Sequence, residues 1–424
     1  AMAAATPREH LEQQRVEASL TGGAASDAST DSCEDQSEEE EVNEQPEVTK
    51  DRLYVLDNAK FVLIICVVLT HLLAPLEGSN LTSRLFEGAR FAFMMPTFTF
   101  ISGYCSSTEM NSPRKYDATL KVVSIYILAQ AFWLVLARYK WWGFWDMTCF
   151  GKIIAGNAWW FVKDLDEDQN QTWRIEDWLR PYFHLWYLFC LIWWRIILPY
   201  WWRLKYPLVT AWIVAALFCA YDMYRADPFH TWMVDLSYVV AWFPLFCFGT
   251  TAKQANWKMW NNPMSALVGF LAICSIAWIP IVFKPPGVFT NGVIWAYGTS
   301  LTNFIGEGFW PNTLMFAIRL AVPLAHGMCI WGFLHIMPRG NLPVITKGGE
   351  RCLANYILHP LGGCLISLLG VYGPKCDGKN LPAWSELWII MFSIVSSIFW
   401  TSRWVWMVVW PLCDPPVHLL LRSP

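Results

Sequence analysis

After its first fifty residues the chain alternates between long apolar stretches and short polar or charged segments. A helix rises about 1.5 Å per residue, so about 20 apolar residues cross the hydrocarbon core of a bilayer. Ten stretches read as spans, at roughly 54–76, 86–106, 118–138, 182–201, 208–223, 237–252, 264–283, 312–336, 352–373 and 385–411. The last is long enough to be tilted, kinked or extended past the membrane. No internal repeat relates the spans. The pattern predicts an all-α, polytopic membrane protein with about ten transmembrane helices. The longest connection, from about 139 to 181, has an apolar patch of its own, Ile153 to Val162, with Trp159 and Trp160. It reads as a re-entrant or interfacial helix followed by a polar acidic loop, a candidate lid or acceptor-binding element.

The opening segment differs in kind. Ser26 to Lys50 holds the run Glu38 to Glu41 among Ser, Asp and Gln. It is too polar to build a core and is expected to be disordered. Three regions follow: an acidic tail at 1–50, a transmembrane domain at 51–411, and a short C-terminal tail at 412–424. No cleavable signal peptide is expected from the opening residues.

Composition agrees with a membrane chain: 55% of the 424 residues are hydrophobic, 15% are charged, and 28 are Trp, whose indole rings anchor at membrane interfaces. The net charge of −3 says little, because the charge is unevenly placed. With the amino terminus in the cytoplasm, the inner segments carry Arg114, Lys115, Arg203, Lys205, Lys253, Lys258, Arg339, Lys347 and Arg351. The outer ones carry Glu77, Asp227, Asp235 and the cluster Asp164 to Asp168. That is the positive-inside pattern, with both termini cytoplasmic, and the acidic tail favours a eukaryotic endomembrane or plasma membrane. The sequons at Asn80 and Asn170 then fall outside. Most of the 13 Cys lie in apolar runs, as small hydrophobes, and neither a zinc spacing nor a C-x-x-C pair occurs. Cys149 and Cys376 fall in loops placed on one side, where a disulfide is conceivable. Nothing points to nucleic acid.

Ionisable residues at membrane depth cost roughly 2.5–3.5 kcal/mol or more, which makes them functional candidates by default. Lys60 and His71 lie eleven residues apart in one apolar run. That spacing leaves them about 20° apart around a helix and about 16 Å apart along it. Asp57 lies three residues before Lys60, where an i,i+3 ion pair positions the lysine. Arg319 and His326 again share one face of a span, Arg90 opens the second span, and His359 precedes Pro360 in the ninth. Structural readings compete: Arg90 snorkelling, Arg319 in a buried pair, His326 a satisfied core histidine, His359 capping or packing. A histidine suits proton work because its ordinary pKa lies near 6.5. A cation at the cytoplasmic mouth suits a phosphorylated cytosolic ligand. The same features also suit a transporter with a proton relay.

Several segments resemble the acyltransferase-3 family. Tyr54-Val-Leu-Asp57-Asn58-Ala-Lys60, followed by Val67-Val68-Leu-Thr-His71, resembles its first span, in which a basic residue and ten others precede a His. Phe93-Met-Met-Pro96 through Ser102-Gly103-Tyr104 resembles its second span. His184-Leu-Trp186-Tyr-Leu188, Phe243-Pro244 through Gly249, and Asn355-Tyr356-Ile-Leu-His359 resemble three later landmarks. Asp-Asn-x-Lys and Met-Pro-x-Phe are closest to the fucose 4-O-acetylase-like branch. The likeness runs from about residue 52 to 372. Many relatives carry an Arg-rich motif after the second span. Here that loop, Ser112 to Lys121, keeps the charge but not the Arg spacing.

The resemblance implies O-acylation, as in carbohydrate O-acetylation, with acetyl-CoA or another acyl-CoA as donor substrate and a carbohydrate or glycoconjugate as acceptor. No metal and no permanently bound cofactor is expected. His71 would be the general base, and Lys60, Arg114, Lys115 and Lys121 would bind the donor's phosphates. Arg319 would stabilise charge on the thioester oxygen, with His326 and Arg90 as further oxyanion or acceptor candidates. Ser102 is a conceivable nucleophile, but its Ser-Gly pair more readily reads as close helix packing. Two other classes remain open at this point: a multi-span transporter or channel, and a degenerate member acting as a lipid-handling scaffold.

Overall fold

The computed structural model describes residues 53–73, 93–110, 113–138, 181–220, 236–257, 263–282, 309–372 and 384–417. The chain divides into Ala1–Arg52 and Leu53–Pro424, and the fold described is that of the second unit. The acidic tail, the connection at 139–180, Cys149, Cys376, both sequons and Arg90 lie outside the described residues.

Regular structure among the described residues is entirely helical. In chain order the helices are α1 (Tyr54–Leu73), α2 (Met95–Tyr104), α3 (Pro113–Arg138), α4 (Trp186–Trp201), α5 (Pro207–Ala220) and α6 (Leu236–Gln254). They continue as α7 (Pro263–Val282), α8 (Phe309–Ile336), α9 (Pro343–Glu350), α10 (Cys352–Leu368), α11 (Trp384–Trp400) and α12 (Arg403–Cys413). A 3-10 turn, Phe183–Leu185, leads into α4. A helix thus lies on each of the ten apolar stretches. By length and composition α1 and Lys115–Leu136 of α3 suffice to cross a membrane, and α11 with α12 would make a third such span. That last stretch is broken rather than straight: α11 and α12 meet at 68°. Ser402 marks the break, its hydroxyl accepting the Val405 N–H as the N-cap of α12.

The short helix α9 lies where the sequence pattern shows only a charged connection. Local chemistry accounts for it. Pro343 sits at its first position, where a missing N–H costs nothing. The Thr346 hydroxyl accepts the otherwise spare Leu342 N–H at 2.8 Å.

Helix α1 is the central element. It packs on α2, α8, α9, α10 and α11, and 72% of its most apolar window is buried, against 39% for α3. Both of its ends are held. At the first end Asn58, fully buried, donates to the carbonyls of Pro338 (2.8 Å) and Gly340 (3.0 Å) and accepts from Thr346 Oγ1 (2.7 Å). Its amide capacity is filled by the α8–α9 connection and α9 itself. Gly349 brings α9 against α1 so closely that a Cβ there would stand 1.8 Å from the Asp57 carbonyl oxygen. At the other end the buried Tyr372 hydroxyl donates to the Leu72 carbonyl at 2.7 Å. These clamps fix the rotation of α1, and with it the face carrying Lys60 and His71.

Candidate active site

Lys60 and His71 project from one face of α1, as their spacing requires. Lys60 Nζ lies 2.7 Å from Asp57 Oδ1, in the expected i,i+3 pair, with 27% of its side chain exposed. Between the two residues α1 presents Ile64 and Val67. With Phe61 they form a small apolar cluster separate from the main core, flanked by Met95, Phe98, Cys352 and Tyr356. An apolar seam, packed between α1, α2 and α10, therefore lies along the face between the lysine and the imidazole.

The His71 ring faces the interior. It stacks on the His359 ring at 5.0 Å between centroids and 26° between planes. His359 in turn meets His184 edge to face at 4.9 Å. Three histidines, from α1, the turn before α4, and α10, thus form one contiguous group. His184 and His359 are buried, at 3% and 1% exposure. Aromatic rings wall the group: Trp133 and Tyr356 each lie 5.4 Å from His184, and the Tyr356 hydroxyl donates to the His184 carbonyl. Among the described residues no group of three His, Cys, Asp or Glu is placed to hold a metal ion.

The sequence explains how His359 is oriented. Pro360 follows it inside α10 and supplies no N–H to the carbonyl four residues back, that of Tyr356. His359 Nδ1 lies 2.8 Å from that same carbonyl. Nδ1 therefore carries the proton in the neutral ring, and Nε2 carries the free lone pair. Nε2 has no hydrogen-bond partner among the described residues. A His-Pro pair inside an apolar helix was the signal for this arrangement. His184 carried no comparable signal beyond its landmark.

The other candidates are dispersed. Lys115 sits half-buried in the first turn of α3. Lys121, one face further along α3, forms an ion pair with Asp414 beyond α12. Arg114 and Arg319 lie on α3 and α8, and their side chains, like Arg90 as a whole, lie outside the described residues. His326 is buried on α8, where its ring stacks on Trp242 at 6.1 Å. Two further cations, outside the predicted site residues, are held by backbone carbonyls. Lys253 of α6 donates to the Ser106 carbonyl (3.1 Å), and Arg195 of α4 donates to the Ala118 carbonyl (2.7 Å). Lys60, Arg195 and Lys253 all interact electrostatically with Cys105, at the end of α2. Asp57 acts on the same group with the opposite sign, so part of the positive charge brought there by three helices is offset.

Ser102 Oγ is 2.8 Å from the Tyr187 hydroxyl. The adjoining Gly103 packs backbone to backbone on α6: a Cβ there would meet the Phe246 carbonyl oxygen at 1.9 Å. The Ser-Gly pair thus builds a helix contact. A cavity of about 440 Å³ between α5, α6, α7 and α8 is lined by apolar side chains such as Leu208, Phe248, Leu324 and Met328. Among the described residues its lining carries no ionisable side chain.

The family model described as an acyltransferase domain, acyltransferase 3, matches residues 53–403. No curated protein and no solved structure matches significantly. The matched stretch takes in α1 with its lysine and histidine, the close pair α2 and α6, and the His-Pro helix α10. This chain therefore belongs to the acyltransferase-3 family of integral membrane acyltransferases.

Proposed function

We propose that the protein transfers an acyl group, acetyl foremost, from acyl-CoA to a hydroxyl of a carbohydrate or glycoconjugate, with His71 as general base. The chain spans the membrane about ten times with both termini in the cytoplasm, so the Lys60 end of the seam opens to cytosolic donor. One observation supports the reading: His71 stacks into a buried histidine group on the same helix face as Lys60, about 16 Å along α1. The acyl carbon and the nearer phosphorus of an acyl-CoA are separated by about fourteen bonds, or about 17 Å at the roughly 1.2 Å advance per bond of an extended chain. The helical separation of Lys60 and His71 is about 16 Å. A donor whose diphosphate rests on Lys60, Arg195 and Lys253 would bring its thioester to His71. The apolar seam would suit the largely uncharged pantetheine arm.

In the reaction His71 takes the proton of the acceptor hydroxyl as its oxygen attacks the thioester carbon. The resulting oxyanion collapses, the carbon–sulfur bond breaks, and the proton passes from His71 to the departing CoA thiolate. Arg319 would stabilise the oxyanion. His359 supports the base through ring contact, holding the His71 imidazole in the seam.

Purified protein in detergent, given acetyl-CoA and a panel of carbohydrate acceptors, is expected to release free CoA only when a suitable acceptor is present. Failure of every acceptor in the panel to release CoA would overturn the reading, and solute uptake by proteoliposomes would then favour a transporter. Lys60→Ala is expected to raise KM for acetyl-CoA about 10-fold or more with little change in kcat, because one charge-assisted contact contributes about 1.5–3 kcal/mol. Pairing it with Asp57→Asn controls for the carboxylate left without its lysine. An unchanged donor KM in both variants would remove Lys60 from the donor site.

A further inference from the structure

We infer that Asn355 binds the amide of the donor's pantetheine arm that lies nearest the thioester. This rests on the acyl-CoA reading above and adds a residue that neither the lysine–histidine spacing nor the cation cluster identifies.

Asn355 is fully buried, yet neither its Nδ2 nor its Oδ1 has a hydrogen-bond partner among the described residues. A buried polar group left unpaired costs about 1–3 kcal/mol, so a chain keeps one where something else pairs with it. The contrast with Asn58 is direct. That amide, equally buried, spends both donors and its acceptor on its own chain.

Position says what the missing group is. Cys352, Asn355, Tyr356 and His359 recur at helical spacing along one face of α10. Gly349, just before α10, packs on the Asp57 carbonyl beside Lys60, and His359 stacks on His71. This face therefore runs beside α1 from the cations to the imidazoles. Cys352 and Tyr356, on either side of Asn355 in sequence, pack on the Phe61, Ile64 and Val67 cluster. Asn355 lies four residues before His359 and so about 6 Å from it along the helix, toward the Lys60 end.

An acyl-CoA extended along this seam meets Asn355 at a defined point. Four bonds separate its acyl carbon from the first amide nitrogen, about 5 Å in an extended chain. With the thioester at the histidine group, that amide falls level with Asn355. A secondary amide offers one N–H and one carbonyl, and a primary amide side chain pairs with both, donating from Nδ2 and accepting at Oδ1. A thiol or hydrocarbon tail would leave both atoms unpaired.

The test uses the full-length protein in detergent and two truncated acetyl thioesters, one with the first amide and one with a methylene pair in its place. The wild type is expected to favour the amide-bearing donor by about 10-fold or more in kcat/KM, as one pair of hydrogen bonds predicts. Asn355→Leu is expected to abolish that preference and to raise KM for acetyl-CoA. Its thermal stability should equal or exceed the wild type's, since it removes an unpaired polar group from the interior. An intact preference in Asn355→Leu, or a variant whose acetyl-CoA KM is unchanged, would overturn the assignment. So would a wild type indifferent to the amide, a measurement that needs no variant to fold. Absence of turnover with acetyl-CoA itself would instead overturn the proposed reaction, and the ligand given to Asn355 with it.

Discussion

Exchanging His71 for Ala is expected to lower acetyl transfer by a factor of about 10²–10⁴, the usual contribution of general base catalysis. That factor corresponds to about 2.7–5.5 kcal/mol of transition-state stabilisation. Donor binding should survive, because the diphosphate contacts assigned to Lys60, Arg195 and Lys253 lie at the other end of the seam. Folding should survive as well. His71 is half-buried rather than enclosed, and α1 is held at its ends by Asn58 and Tyr372. Measuring kcat, KM for acetyl-CoA, and equilibrium donor binding separates these effects. Full activity in His71→Ala would remove this residue as the base and leave His359, with its free Nε2, as the next candidate. A His359→Phe variant bears on the same question. It keeps a ring against His71 but no basic nitrogen, and retains most activity if His359 acts by contact alone.

The second large effect is structural. Gly103→Val is expected to prevent the normal docking of α2 on α6. A Cβ at Gly103 would lie 1.9 Å from the Phe246 carbonyl oxygen, and one at Gly249 would lie 2.0 Å from that of Phe100. Van der Waals contact begins near 3.4 Å, so the helices would have to separate by about 1.5 Å. Overpacking of this kind costs about 1–3 kcal/mol or more, and two bonds would be strained with it. Thr250 Oγ1 donates to the Gly103 carbonyl at 3.0 Å, and Ser102 Oγ meets the Tyr187 hydroxyl at 2.8 Å. Thermal unfolding in detergent should fall by about 5 °C or more, with activity lost in proportion. A variant as stable as the wild type would show that the two backbones are not in close contact. Ser102→Ala, by contrast, should retain transfer, since its hydroxyl meets a tyrosine and not a histidine.

How much of this was legible beforehand differs by residue. Periodicity and apolarity are local, so the helical positions of all ten stretches could be read directly, and an eleven-residue spacing could put Lys60 and His71 on one face. The Asp57–Lys60 pair is equally local and follows from i,i+3 geometry. Asn58 was visible as part of a motif, but not its task. Only the return of the chain at Pro338, Gly340 and Thr346 shows that it clamps α1 instead of meeting substrate. Lys121 illustrates the converse: a cation expected at the donor site shares its charge with Asp414, a residue hundreds of positions away.

The helices, their apolar faces and the lysine–histidine axis thus follow from the order of residues, because each depends on neighbours within a few turns. The meeting of His71 with His184 and His359, the approach of Lys253 to the end of α2, and the Asn355 amide with no partner among the described residues depend on which helices lie side by side. No pattern along a single helix encodes that. It is decided where α2 and α6 touch through glycine, and where α9 and Tyr372 hold α1 against α10, so that groups far apart in the chain share one buried seam.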